Sequence, residues 1–92
     1  MRASKYFDKQ FSTLTIKSQN IIENKFKLIK QNPYRFTRLQ TKFPLFRVRV
    51  NIEGKDTRLI YTLYEGIIIL LLIERKKGYK GIEKEIERIL KK

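Results

Sequence analysis

The chain has no cysteine and no histidine. Without cysteine there is no disulfide framework, no thiolate nucleophile and no thiolate zinc site. Without histidine it lacks the usual general base at neutral pH and the commonest metal ligand. Acidic residues are scarce: 9 Asp+Glu stand against 22 Lys+Arg, a net charge of +13, with a pI near 10.2. Such an excess in a small chain implies a polyanionic partner: RNA, DNA, an anionic membrane or an acidic protein. Long apolar runs are absent too. The most apolar stretch, Ile67 to Ile73, falls far short of the ~20 residues that span a bilayer. Met1 to Asp8 contains no apolar core of a signal peptide. The expectation is a soluble, cytoplasmic protein.

What is present suits one α+β domain over residues 1–92, with 41% apolar residues to build a modest core. Prolines occur only at Pro33 and Pro44 and act as punctuation. Ile22, Phe26 and Ile29 recur at i, i+4 and i+7, which predicts a helix over 15–31 with Thr15 as its N-cap. Gln31-Asn32-Pro33 ends it, because the residue before a proline is pushed out of the α region. Phe7, Phe11 and Leu14 predict a shorter helix before it, and the two would form a helical hairpin. The period then changes. Phe46 to Ile52 alternates strictly, Thr57 to Tyr64 is β-branched and aromatic, and Ile67 to Ile73 is apolar on both faces. Glu53-Gly54-Lys55-Asp56 and Glu65-Gly66 are turns, so the strands read as a three-stranded antiparallel meander. A short edge strand near Ala3 to Phe7 and an amphipathic C-terminal helix, marked by Ile82, Ile86, Ile89 and Leu90, complete the expectation.

The charge is not spread evenly. From Asn24 to Ile52 there is no acid and there are eight bases: Lys25, Lys27, Lys30, Arg35, Arg38, Lys42, Arg47 and Arg49. Tyr34 and Phe36 interleave with the arginines. The plain reading is a solvated surface; the functional reading is a surface that tracks phosphates. On the first meander strand Val48, Val50 and Ile52 share one face, so Arg47 and Arg49 share the other, about 7 Å apart. Arg58 alternates onto the same face of the next strand. The third strand runs on into Arg75, Lys76 and Lys77.

With these features the sequence resembles the RelE/ParE superfamily of toxins from toxin–antitoxin systems, over nearly the whole chain. The residues that carry the resemblance are Phe7-Asp8-Lys9-Gln10-Phe11 and Gln31-Asn32-Pro33. They continue through Arg38-Leu39-Gln40 and the pair Phe46-Arg47-Val48-Arg49-Val50 with Thr57-Arg58-Leu59-Ile60-Tyr61. Ile73-Glu74-Arg75-Lys76-Lys77-Gly78-Tyr79 closes the set. The resemblance implies a ribosome-dependent mRNA endonuclease with no metal and no cofactor, in which the ribose 2′-OH attacks the adjacent phosphate. It assigns catalytic roles to Arg47, Arg49, Arg58, Arg75 and Tyr79. Lys25, Lys27, Lys30, Arg35, Arg38, Lys76 and Lys77 are expected to contact ribosome or RNA. It further implies an acidic antitoxin as partner.

Guanidinium forks suit the charge that in-line cleavage builds on a phosphate. Arginine hardly deprotonates, so acid–base work falls to Tyr79, Lys76, Lys77 or Glu74, or to the ribosome. Other functions fit the composition. A gyrase-poisoning toxin shares the fold and cleaves nothing. A non-catalytic nucleic-acid-binding module would use every base for affinity alone. Membrane-surface binding by the lysine-rich helix is disfavoured, since the sheet needs Ile22, Phe26 and Ile29 as its lid.

Overall fold

A computed structural model describes residues 1–39, 44–75 and 88. The elements run β1 (Arg2–Ala3), α1 (Lys5–Ser12), α2 (Ile16–Gln31), β2 (Thr37–Arg38), β3 (Leu45–Ile52), β4 (Lys55–Tyr64) and β5 (Ile67–Arg75). Each helix starts where a hydroxyl can cap it. Ser4 Oγ accepts from the Phe7 N–H at 3.0 Å and Thr15 Oγ1 from the Ser18 N–H at 3.1 Å, satisfying donors that the first turn leaves open. The expected second helix and its cap stand as read. The first starts earlier than expected, at Lys5, because Ser4 rather than a strand residue precedes it.

Among the described residues the sheet has five strands, in the order β1-β5-β4-β3-β2. It is mixed: β1 pairs parallel to β5 and all other pairs are antiparallel. The edge strand expected around residues 3–7 is only Arg2–Ala3, since the chain turns helical at Lys5. The other edge, β2, is an element that local pattern does not reveal, being only Thr37–Arg38. Both hairpins of the meander close through two-residue turns, Glu53-Gly54 and Glu65-Gly66, with all four residues at positive φ. That is the geometry whose twist matches the flanking strands, and glycine in the second place lowers its cost.

One face of the sheet is covered by the helices, with α1 over β5 and α2 over β3. Phe7, Ile22 and Ile29 meet Val48, Val50, Ile52, Leu59 and Tyr61 there. Phe26 packs against the stacked rings of Phe7 and Phe11, with ring centroids 6.0 and 6.2 Å away. Truncating Ile22, which has no exposed surface, would cost ~2–5 kcal/mol. The opposite face carries a smaller apolar cluster, Leu39, Leu45, Ile60, Leu71 and Leu72. This explains why β5 is apolar on both sides: it serves both clusters.

β5 also carries a bulge. Ile60 pairs with Leu72 and Tyr61 with Leu70, leaving Leu71 as an extra residue. Beyond β1, the edge of β5 is held by side chains. Ser4 Oγ donates to Leu71 O at 2.7 Å. Gln10 Nε2 donates to Ile73 O at 2.8 Å and its Oε1 accepts from the Ile73 N–H at 2.7 Å. The amide thus replaces a missing strand at that residue. Among the described residues no helix is long and apolar enough to cross a membrane. The helix expected over residues 82–90 lies outside the described residues except for Arg88, which is helical.

Candidate nucleic-acid interface

Strand alternation places the basic residues. On β3, Phe46, Val48, Val50 and Ile52 are buried toward the helices, while Arg47 is half-buried and Arg49 exposed on the other face. The register sets Arg49 directly across from Arg58 on β4. Because the hairpin closes on Ile52 and Lys55, alternation makes Arg49–Arg58 a pair without mutual backbone bonds. In such pairs the Cα atoms lie ~4.5 Å apart and the side chains are closest. Like charges directly opposite are destabilising, and an anion placed between them removes that cost.

The two arginines differ in surroundings. Arg58 is 8% exposed and sits on the central strand. Its Nη2 lies 3.9 Å from Asp56 Oδ2, a weak, partly exposed ion pair. Burial on the central strand, rather than that pair, confines the guanidinium, and only a small part of it is open to a ligand. On the far side of Arg58 the register brings Glu74 of β5, and Arg75 occupies the next row, that of Thr57 and Val50. Arg49, Arg58 and Glu74 therefore form one row across three strands, whereas Arg75, expected at the same site, falls in the adjacent row with Val50, which belongs to the helix face.

The remaining candidates divide. Arg35 joins Arg47 and Arg49 around one cleft of about 280 Å³, which Phe36, Thr37 and Val48 also line. Its guanidinium carbon lies 5.8 Å from the centre of the Phe36 ring. Arg38 is exposed on β2, in register with Phe46. Lys25, Lys27 and Lys30 belong to α2, in the layer on the helix side of the sheet, so the structure separates them from the Arg47–Arg49 face. Lys76, Lys77 and Tyr79 lie outside the described residues. Thr37 and Gln10 escaped sequence reading; neither carries charge, and their roles exist only through partners distant in the chain. Among the described residues, no three acidic side chains gather as a metal site would need.

Tyr61 fixes the approach to the cleft. Its ring stacks on Phe46 at 5.2 Å between centroids, and its hydroxyl donates to the Pro33 carbonyl. Burial pushes that hydroxyl up to about 12.

No protein-family model matches this chain, and neither does any curated protein. Solved structures do. An arginine-to-alanine double mutant of the E. coli toxin RelE in the free state superposes with a TM-score of 0.74 at 11% identity, over 96% of this chain and 94% of that one. The intact E. coli RelBE toxin–antitoxin complex gives 0.68 at 10% identity, over 83% and 94%. The archaeal RelE–RelB complex from Pyrococcus horikoshii gives 0.61 at 17%, over 84% and 93%. The chain has the RelE-like toxin fold.

Proposed function

We propose that this chain is the toxin of a toxin–antitoxin pair, a ribosome-dependent endoribonuclease acting on mRNA in the cytoplasm. The observation that carries this reading is the row of Arg49 and Arg58 beside Arg47, on the face of the sheet opposite α1 and α2. Opposed guanidiniums on fixed strands form a preorganised anion site, which is what a phosphate gaining charge in its transition state requires. In the reaction the 2′-oxygen bonds to phosphorus and the bond to the 5′-oxygen breaks. The 2′-hydroxyl loses its proton to a base, and the departing oxygen takes one up. Arg47 and Arg49 grip the RNA backbone, Arg58 neutralises the phosphate, and Tyr79 serves the proton steps; the role that the family resemblance implies for Arg75 is not kept, because its register with Thr57 and Val50 sets it in a row of the helix face. The RelE–RelB complexes among the similar structures support an antitoxin as partner. With +13 on this chain, that partner is acidic and associates rapidly. It docks on the amphipathic segment 82–90 and covers the arginines.

The test is addition of the protein to a translation extract. The expected outcome is arrested synthesis, cuts inside translated codons and untouched gyrase supercoiling. Inhibited supercoiling with intact mRNA overturns the reading in favour of a gyrase poison. RNA binding without cuts leaves a non-catalytic module instead.

A further inference from the structure

The loop before β2 is ordered by contacts at every step. Asn32 Oδ1 accepts from the Tyr34 N–H at 3.1 Å, and the Arg35 N–H donates to Asn32 O at 3.1 Å. This closes a turn with proline in its second place, where the fixed φ is favourable. The Tyr61 hydroxyl holds Pro33, and Tyr34 packs edge-on against Phe46 at 6.0 Å. Arg35 and Phe36 therefore stand in place at one wall of the cleft.

The other wall is β3 just past the end of β2. The Leu39 N–H donates to Leu45 O at 2.8 Å, so odd-numbered residues of β3 turn their backbone toward the β2 side. Arg47 pairs with Thr37 there. By the same alternation the Arg49 N–H faces the opening where β2 has ended. The cleft thus brings Arg35, Thr37, Arg47 and Arg49 together with Phe36, whose half-buried ring also packs against the helix-side core. At about 280 Å³ it lies just below the ~300–1,000 Å³ of drug-sized sites, a space for one nucleotide.

We propose that this cleft seats a single nucleotide next to the cleaved linkage, its phosphate on Arg35 and Arg49 and its base against Phe36. The proposal rests on the reading of the arginine row as an RNA-phosphate surface, and it extends that surface around the sheet edge. Arg49 belongs to both parts: it lines the cleft and faces Arg58. A strand gripped at the row therefore passes over Arg49 into the cleft. Arg35 is a binding residue in this arrangement, not a distant contributor to the field. Phe36 accepts any base, because every base offers a π-face.

The test uses a labelled 2′-O-methyl RNA hexamer, which cannot be cleaved, and a strand of equal length without bases. Anisotropy is read over a salt series for the wild type, Arg35→Lys and Phe36→Leu. The wild type is expected to prefer the base-bearing hexamer by about fivefold or more. Phe36→Leu loses most of that preference. Arg35→Lys weakens both strands by the same factor of several-fold with an unchanged salt slope, since the charge stays and the fork is lost. Unaltered binding of both strands by Arg35→Lys overturns the proposal; this exposed substitution leaves the core intact, so it decides the matter even if Phe36→Leu fails to fold. A folded Phe36→Leu that keeps the full preference overturns it as well. Displacement of the hexamer by hexaglutamate from the wild type but not from Arg35→Lys overturns it in favour of an acidic peptide. Cleavage is not read in this assay. A protein that never cuts mRNA but shows the expected pattern keeps the seat and loses the nuclease reading, and one that cuts without the pattern loses the seat alone.

Discussion

Replacing Gln10 by leucine tests how β5 is held. The Gln10 amide makes two bonds to the backbone of Ile73, at 2.7 and 2.8 Å, where β1 no longer covers the edge. Each bond contributes ~1 kcal/mol net, and a buried backbone group left without a partner costs ~1–3 kcal/mol. Ile73 is buried, so Gln10→Leu is expected to destabilise the fold by ~2–4 kcal/mol. For a domain of this size each kcal/mol lowers Tm by ~4–8 °C, giving a drop of roughly 8–32 °C. Urea denaturation should show a lower midpoint with unchanged slope, and the Ile73 amide should lose most of its hydrogen-exchange protection. Gln10→Glu separates the two bonds. Its carboxylate still accepts from the Ile73 N–H but meets the carbonyl with a negative charge, so stability recovers only as pH falls toward ~4.3. Because Ile73 pairs with Leu59, the neighbour of Arg58, both variants should also slow mRNA cleavage. Wild-type stability and exchange in Gln10→Leu would refute the assignment of these bonds as the clamp on β5.

Arg49→Ala is expected to slow single-turnover cleavage on programmed ribosomes by on the order of a hundredfold with ribosome binding nearly unchanged, and Arg49→Lys to restore it only partly; full activity in Arg49→Ala would place the site elsewhere. Lys27→Ala, on the helix side of the sheet, should weaken ribosome binding modestly, lower the salt slope by about one unit and leave the cleavage step alone. The Tyr61 hydroxyl keeps its proton in the folded chain up to about 12, against 10.0 for an ordinary tyrosine. Between those pH values the unfolded chain holds fewer protons, so this group makes stability fall by ~1.4 kcal/mol per pH unit as pH rises, with no loss below pH ~10. Tyr61→Phe lacks that term, so its deficit relative to the wild type should shrink above pH ~10. A constant difference in calorimetry from pH 9 to 11 would show the hydroxyl to be solvated.

Local pattern was enough wherever one face is buried and the segment is long. Ile22, Phe26 and Ile29 mark the inner side of α2, and Thr15 caps it as a short hydroxyl before an apolar period should. The alternation of Arg47 and Arg49 with Val48 and Val50 placed the arginines on the face away from the helices. Charge spacing along the chain carried no such information for Lys25, Lys27 and Lys30. They continue the basic run in sequence, but α2 packs on the side of the sheet opposite to Arg49. The cleft was partly legible, since Phe36 interleaves with arginines. Its second wall comes from β3, and β2 is too short for any period to appear.

The amino-acid sequence by itself determined the charge, the order of the main elements and which side chains of β3 look away from the helices. Each follows from composition or from a repeat of two or 3.6 residues, both of which are local. Tertiary structure decided which arginines become neighbours. Regular pairing outward from the Glu65-Gly66 turn would set Ile73 across from Arg58; the extra residue at Leu71 instead brings Glu74 there and moves Arg75 into the row of Thr57. A bulge changes register by one, and in a strand one residue changes the face. Its position depends on how β5 fits between two apolar clusters and on the bonds from Ser4 and Gln10. Those partners lie more than sixty residues away in the chain, beyond the reach of any local period.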